Sequence, residues 1–410
     1  MSAPIRFIHC ADLHLGSRFV GISTEDKELG KKMRSSTFMA LDEIVNKAMH
    51  EAVDFIIFSG DIFDDSNETP YTRQRFADAV ARAGIPCYII FGNHDYKRRW
   101  EDSIPLPPNA YVFGSEPERT FYPPKSLDAQ VELIGISYHK RAVYEDLTKK
   151  IKGSKDKFSI GIVHCDVDGD ERSPYSPCRS SEMAGRNIDY WALGHRHTAQ
   201  IISKDPYIVY PGNTQGRNSR ETGEKGAFLI TVSDRRVVRT EFFETGQIVW
   251  KDVDVQIGTT TTVQQLIDDI KSKCRPGSFI RVSITGTGKL DSFLRTNDEP
   301  SKDGGIRSKE SFTAMVEAQT GCKCSAIEVH TSPDVDLKKR SESGDFVASV
   351  IQYGLNLESA SREELIGMIC ETPAINKTLR SNFESMSSDE LRDIVDDAIK
   401  LIVAKMGAAR

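Results

Sequence analysis

The run Val53-Asp54-Phe55-Ile56-Ile57-Phe58-Ser59-Gly60-Asp61-Ile62-Phe63-Asp64 decides the fold. It is a short β-rich stretch that stops at a glycine and meets a carboxylate at once. The same figure recurs in both directions. Upstream, Ile5 to Ala11 leads into Asp12-Leu13-His14; downstream, Pro86 to Gly92 leads into Asn93-His94-Asp95. Phe158 to His164 ends on its own histidine, and Tyr190 to Gly194 opens onto His195-Arg196-His197. Val131 to Ser137, Tyr207 to Tyr210 and Ala227 to Val232 read as further strands. Between the first two strands Leu29, Met33, Ala40, Leu41, Ile44, Val45 and Ala48 recur at helical spacing. Strands alternating with helical or polar stretches over two thirds of the chain predict an α/β layered fold. Its chemical groups fall at strand ends, where an open sheet presents them.

Composition narrows the class. The 410 residues hold 54 Lys plus Arg against 60 Asp plus Glu, a net charge of −6 that argues against indiscriminate polyanion binding while leaving room for a local basic surface. Mean hydropathy is −0.40, and no window approaches the roughly 20 apolar residues of a membrane span. Met1 to Cys10 lacks the basic flank and long apolar core of a secretory signal, so a cytoplasmic protein is expected. Eight cysteines are too sparse for a disulfide scaffold and read as reduced thiols. Cys322 and Cys324 lack a second cysteine pair and read as packing rather than a zinc knuckle.

A chain of this length exceeds the roughly 250 to 300 residues at which single cores stop growing. Residues 1–250 form the expected main domain. After Trp250 the texture changes: Gly258 and Thr259 to Thr262 precede a helix from Val263 to about Lys273. A strand from Phe279 to Thr285, a polar segment over 297–305 and a strand around Ala326 to His330 complete a small α/β unit, 251–340. Residues 341–410 read as helical, with Ser361/Glu364 and Ser387/Glu390 at capping-box spacing. Leu391, Ile394, Val395, Ala398, Ile402 and Met406 form one stripe, open to packing on the body or to docking a partner.

Taken singly, each histidine after an apolar run is an ordinary core or surface residue. Five strands ending in metal-competent side chains defeat that reading. Asp12, His14, Asp61, Asn93, His164, His195 and His197 therefore read as a metal site, whereas His9, His50, His139 and His330 have no partner residues around them. Mixed carboxylate, amide and imidazole donors suit manganese, iron or zinc better than calcium. Seven donors exceed the needs of one tetrahedral ion; two ions about 3.5–4 Å apart, sharing Asp61, would use them all, the arrangement for phosphoryl chemistry. With two carboxylates against two divalent ions the site stays cationic and attracts a phosphodiester, and coordination lowers the pKa of water to about 7. His94, beside Asn93 and not needed as a ligand, is placed to donate a proton to the departing oxygen, with Asp95 or Asp64 orienting its ring.

The order D-x-H, G-D, G-N-H-D, a lone H and G-H-x-H over roughly Ile5 to Val232 resembles the calcineurin-like metallophosphoesterases. Gly60-Asp61-Ile62-Phe63-Asp64, Tyr175-Ser176-Pro177-Cys178, Tyr190 to His195 and Tyr210 to Arg217 look like bacterial DNA-repair exonucleases of the SbcD and YhaO type, nuclease subunits that work with an SMC-like ATPase. The resemblance implies a four-layer αββα sandwich with a small α/β capping domain and a helical C-terminal tail that binds the ATPase. It implies one metal held by Asp12, His14, Asp61 and His197 and another by Asp61, Asn93, His164 and His195, with His94 as catalytic acid. Manganese as the usual metal and a homodimer are expected on the same ground. Asp64 stands where archaeal and eukaryotic relatives carry a second histidine, as in the bacterial branch.

Positive residues gather near the motifs: Lys97, Arg98, Arg99, Arg196, Arg217 and Arg220. Such a set suits a phosphate backbone, although Glu101, Asp102, Glu221 and Glu224 offer local ion pairs. Tyr96 and Trp100 suit base stacking or helix packing. The run Asp61 to Asp65 is not followed by the Arg-Gly of the superfamily's phosphoprotein phosphatases, which disfavours a protein phosphatase. The expectation is a metal-dependent DNA exonuclease or endonuclease of DNA repair. The alternatives are a small-nucleotide or cyclic-nucleotide phosphodiesterase and a non-catalytic DNA-binding scaffold for an ATPase partner.

Overall fold

Alternate residues of each strand face opposite sides of a sheet, and the burial of the apolar side chains sorts the strands accordingly. The structure, a computed structural model, describes residues 4–17, 27–64, 68–98, 100–124, 130–296, 308–334, 336–357, 360–371 and 377–405. The chain divides into two units, 1–250 and 251–410.

The first unit runs β1 (Ile5–Cys10), α1 (Lys27–His50), β2 (Phe55–Ser59), α2 (Pro70–Ala83), β3 (Cys87–Ile90), β4 (Ala110–Val112), β5 (Glu118–Tyr122), β6 (Val131–Ile136) and β7 (Phe158–His164). The short β8 (Asp166–Val167), β9 (Pro177–Cys178) and α3 (Ser180–Met183) follow, then β10 (Tyr190–Gly194), β11 (Gln200–Lys204), β12 (Tyr207–Tyr210), β13 (Gly226–Ser233) and β14 (Arg236–Glu244). Two six-stranded mixed sheets result, ordered β14-β13-β1-β2-β3-β4 and β11-β12-β10-β7-β6-β5. Within them β1 to β4 are mutually parallel, as are β6, β7, β10 and β12, so the ends that carry the motifs all belong to parallel strands.

Phe7, Phe55, Ile57, Ile160, Ile162, Tyr190 and Ala192 fill the space between the sheets. Their neighbours Ile8, Ile56 and Phe58 pack instead on Leu41, Ile44 and Val45 of α1 and Phe76 and Val80 of α2. On the far face, Val163, Trp191, Leu193 and Tyr210 are covered by Tyr138, Leu147, Ile151, Met183 and Ile188, from loops and short helical turns rather than long helices. Helix α2 is defined at both ends: Thr69 and Thr72 form a reciprocal cap, Pro70 fills the first turn, and Gly84 closes it at φ 66°.

The second unit packs a three-stranded sheet, β15 (Trp250–Gln256), β16 (Phe279–Gly288) and β17 (Lys323–Pro333), against α4 (Val263–Ser272), α5 (Asp291–Thr296) and α6 (Ser308–Thr320). The short α7 (Leu337–Arg340) precedes α8 (Phe346–Leu357), α9 (Arg362–Cys370), α10 (Lys377–Ser385) and α11 (Ser388–Lys405). The polar segment 297–305 and Met406 lie outside the described residues. In α11 the buried positions are Leu391 and Ile399, whereas Ile394 and Ile402 of the expected stripe are 37% and 44% exposed. The face that packs on Ile351 of α8 is thus rotated from the expected one. No helix among the described residues is long and apolar enough to cross a membrane.

Candidate metal centre

The chain leaves β1 and β2 in step. Asp12 N–H donates to Gly60 O, His14 N–H to Asp61 O and Leu15 N–H to Ile62 O, at 3.0, 3.0 and 2.9 Å. Two ligand-bearing loops are thereby zipped together. Asp12, His14, Asp61 and His195 all hold positive φ, at 52°, 44°, 50° and 103°. Each costs a non-glycine residue on the order of 1–3 kcal/mol, strain of the kind that functional sites retain.

From these turns the side chains meet. His14 Nε2 lies 3.2 Å from His197 Nε2, His164 Nε2 lies 3.1 Å from Asn93 Oδ1 and 3.4 Å from Asp61 Oδ2, and Asp61 Oδ1 accepts from His94 N–H at 3.0 Å. His195 N–H donates to Asp12, and its ring stacks edge-on against that of His164. Three groups hold ligand atoms within 4.8 Å of one another: Asp12, His14 and His197; Asp12, Asp61 and His164; His14, Asp64 and His94.

The electrostatics follow from burial and mutual proximity. Burial pushes Asp12 up to about 6 despite His164 and His197. Burial pushes Asp61 the same way, but His164, His14 and His94 overcome it and hold the carboxyl well below its usual range. Burial and the neighbouring Arg217 bring His14 down to about 3; burial and His164 do the same to His195. For His164, burial is outweighed by Asp61 and Asp12, and it rises to about 9.

The donor set fits divalent cations. Asp12 and Asp61 are buried; among the described residues neither has a Lys or Arg within ion-pair distance, and the charged partner of Asp61 is an imidazole, His164 at 3.4 Å. Buried carboxylates are otherwise paired or bound to metal. The apposed His14 and His197 nitrogens are natural co-ligands of one ion.

Asp64 and Asp95 are equivalent in spacing but not in space. Asp64 Oδ1 lies 3.3 Å from His94 Nδ1 and 3.5 Å from His14 Nδ1. Asp95 instead accepts from the backbone N–H of Gly92 and Ile62, at 2.6 and 2.7 Å, and that of Phe63 at 3.3 Å. Burial and the charge of Asp61 raise its carboxyl to about 8. Of the two, Asp64 faces the His94 ring, and Asp95 ties the loop after β3 to the loop after β2.

The basic residues also separate. Arg217 Nη2 bonds Glu221 at 3.0 Å, Arg196 bonds Asp166 and lies over the Tyr210 ring, and Arg98 bonds Phe113 O over the Phe91 ring. These three side chains have internal partners. Lys97 and Arg220 are exposed, and Arg99 lies outside the described residues. Trp100 is 44% exposed and donates to Glu68 O.

Sequence reasoning missed Glu221. Its Oε1 accepts from His197 Nδ1 at 2.9 Å, its Oε2 from Asn213 Nδ2 and Arg217 N–H, and Lys225 Nζ donates to His197 O. A carboxylate behind a ligating histidine fixes its tautomer and orientation. Burial opposes ionisation of Glu221, yet His197 and Arg217 hold it well below the ordinary range.

The glycines at the strand ends are steric requirements. A Cβ at Gly194 would lie 2.0 Å from Ser59 O and 2.6 Å from His164 Nδ1. Gly194→Ala is expected to cost about 3 kcal/mol, the upper part of the overpacking range, because backbone cannot step aside. Urea unfolding should show a lowered midpoint, and an unchanged one would mean that this approach is not close in solution.

The sequence profile described as calcineurin-like phosphoesterase matches residues 5–199. The chain is 34% identical over 324 residues to the "Uncharacterized metallophosphoesterase YhaO" of Bacillus subtilis, covering 73% of this chain and 78% of that protein. It is 24% identical to the "DNA double-strand break repair protein Mre11" of Thermoplasma acidophilum, over 65% of this chain and 71% of that one. Among solved structures, a dimetal phosphatase from Danio rerio shares 12% identity at a TM-score of 0.39, covering 59% of this chain and 96% of that one. With its motif-bearing strand ends gathered around buried carboxylates and imidazoles, the chain belongs to the calcineurin-like phosphoesterase family, as a metal-dependent phosphoesterase.

Proposed function

We propose that this phosphoesterase is a DNA nuclease acting in DNA repair, with two manganese ions as its working metals. The observation that carries the reading is the meeting of Asp12, His14, Asp61, Asn93, His164 and His197 from both sheets, with His195 bonded to Asp12 and His94 held beside them. Asp12, His14, Asp61 and His197 would hold one ion; Asp61, Asn93, His164 and His195 would hold the other. When bound, such ions polarise a phosphoryl oxygen and lower the pKa of coordinated water.

The chain's own residues do the rest. Asp64 faces His94 Nδ1, fixing the ring that passes its proton to the departing oxygen, a role worth about 10²- to 10⁴-fold in rate. Glu221, held by Arg217 and Asn213, keeps the His197 ring turned toward the site. Lys97, three residues beyond His94, and Arg220 are exposed and would meet a phosphate backbone. The repair role named for the Mre11 relative supports DNA over a small nucleotide. In this reading the protein is cytoplasmic, residues 251–340 cap the nuclease, 341–410 dock an SMC-like ATPase, and the chain pairs as a homodimer.

The test is degradation of an end-labelled linear duplex with manganese, with magnesium and with chelator, running His94→Ala alongside. Manganese-dependent nucleotide release that falls at least about 10²-fold in the variant is expected. Two equally inert proteins that both bind DNA would point to a scaffold or to an obligatory ATPase complex. A chain that neither cuts nor binds DNA would redirect attention to small phosphodiesters.

A further inference from the structure

His9, a histidine without sequence partners, is fully buried between the two sheets and bonded on both ring nitrogens. Nε2 lies 3.1 Å from Leu193 O and 3.0 Å from the Ser59 hydroxyl, and Nδ1 lies 3.0 Å from the Tyr190 hydroxyl. A carbonyl only accepts, so Nε2 carries the hydrogen; Nδ1 must then accept from the Tyr190 phenol. Burial keeps the ring neutral, lowering it to about 3, which agrees with a single ring hydrogen to place.

His9 itself and two of its partners, Ser59 and Leu193, stand close before a candidate ligand. Asp12 follows His9 on the same chain, Asp61 follows Ser59, and His195 follows Leu193, each within three residues. Ser59 O also accepts from His164 Nδ1 at 3.0 Å, which leaves Nε2 of His164 as the nitrogen facing Asn93 and Asp61. One imidazole therefore bridges β1 and β2 of the first sheet to β10 of the second, and through Ser59 reaches the last residue of β7.

We infer that His9 is a positioning residue: it sets the separation between the ligand half carried by the first sheet, Asp12, His14, Asp61 and Asn93, and the half carried by the second, His164, His195 and His197. The inference rests on the metal-centre reading above. A two-metal site needs both halves in register to within about 0.5 Å; the bonds from His164 Nδ1 to Ser59 O and from His195 N–H to Asp12 join the sheets at the ligands themselves, and His9 adds a directional link one layer behind them. Outer-shell partners of metal ligands typically change affinity 10- to 100-fold when removed.

The test is calorimetric titration of the purified full chain with MnCl2, at a temperature where circular dichroism shows every variant folded. His9→Phe fills the space without hydrogen bonds and should bind manganese about 10- to 100-fold more weakly. His9→Gln, whose amide N–H reaches Leu193 O, should recover most of the loss, while the shorter His9→Asn should not. Val209→Ala, a cavity in the same inter-sheet core, serves as the control and should lower thermal stability without changing affinity. Wild-type affinity in His9→Phe would show that His9 only packs. Should His9→Phe not fold, equal affinities for the Gln and Asn variants would overturn the inference just as well. A wild-type chain that takes up no manganese would overturn the metal reading itself, and this assignment with it.

Discussion

Asp61→Asn is expected to erase the manganese-induced rise in thermal stability and to slow phosphodiester hydrolysis by about four orders of magnitude or more, in a chain that still folds. A ligand bound only by the folded state stabilises it by about 2.7 kcal/mol at a hundred times its dissociation constant, and that increment should vanish. The rate estimate follows from losing several kcal/mol of transition-state charge stabilisation, at about 1.36 kcal/mol per decade. Folding survives because the amide keeps its oxygen: Asn Oδ1 can still accept from His94 N–H, as Asp61 Oδ1 does at 3.0 Å. The other position, 3.4 Å from His164 Nε2 and 3.8 Å from His14 Nε2, becomes an NH2 that cannot ligate. Scanning calorimetry with and without MnCl2, and turnover of bis(p-nitrophenyl) phosphate, are the two readouts. If the variant retains both the shift and the turnover, Asp61 does not belong to the working site.

Arg73→Ala is expected to cost the first unit about 3–5 kcal/mol without touching the metal centre. Arg73 is 1% exposed, donates from Nε to Ile104 O at 2.8 Å and places Nη1 3.7 Å from Glu68, itself 5% exposed. Removing the cation leaves a buried carboxylate short of its opposite charge, the expensive way to break such a pair. Replacing both partners, as Glu68→Gln with Arg73→Met, should recover much of the loss. Urea unfolding of the wild type, Arg73→Met, Glu68→Gln and the double variant supplies the cycle, with Arg73→Ala measured beside them, and a loss of less than about 1 kcal/mol for Arg73→Ala would show that water or neighbouring charges already solvate Glu68.

The ligand-bearing strands were legible because each combines a short apolar run, a glycine or sharp turn and a polar donor in the space of a few residues. The edge strands β4, β5, β11 and β14 were not. Their side chains are mostly half-buried or exposed, and Arg236–Glu244 shows no clean alternation of apolar and polar residues. Glu221 escaped notice because it lies 24 residues from His197 and beside arginines that invite a surface ion-pair reading. Asp64 and Asp95 both lie within a few residues of metal ligands, and only the fold decides that one faces an imidazole and the other a row of amides. His9 shows no partner in sequence since Tyr190 and Leu193 arrive from the other sheet, over 180 positions away.

The central place of β1 also governs how the chain can be made. Ile5 pairs with Val232 on one side of β1, while Phe7 pairs with Phe55 on the other. A ribosome adding about 5–20 residues per second presents the second neighbour within seconds but needs roughly 10–45 s to deliver the first. For that interval the growing chain carries a nearly complete parallel sheet whose innermost strand is still an open, apolar edge, the form most prone to recruit a strand from elsewhere. Any fragment that stops short of Gly226 keeps that edge permanently, so the phosphoesterase unit of this protein cannot be shortened to its strand-end motifs alone.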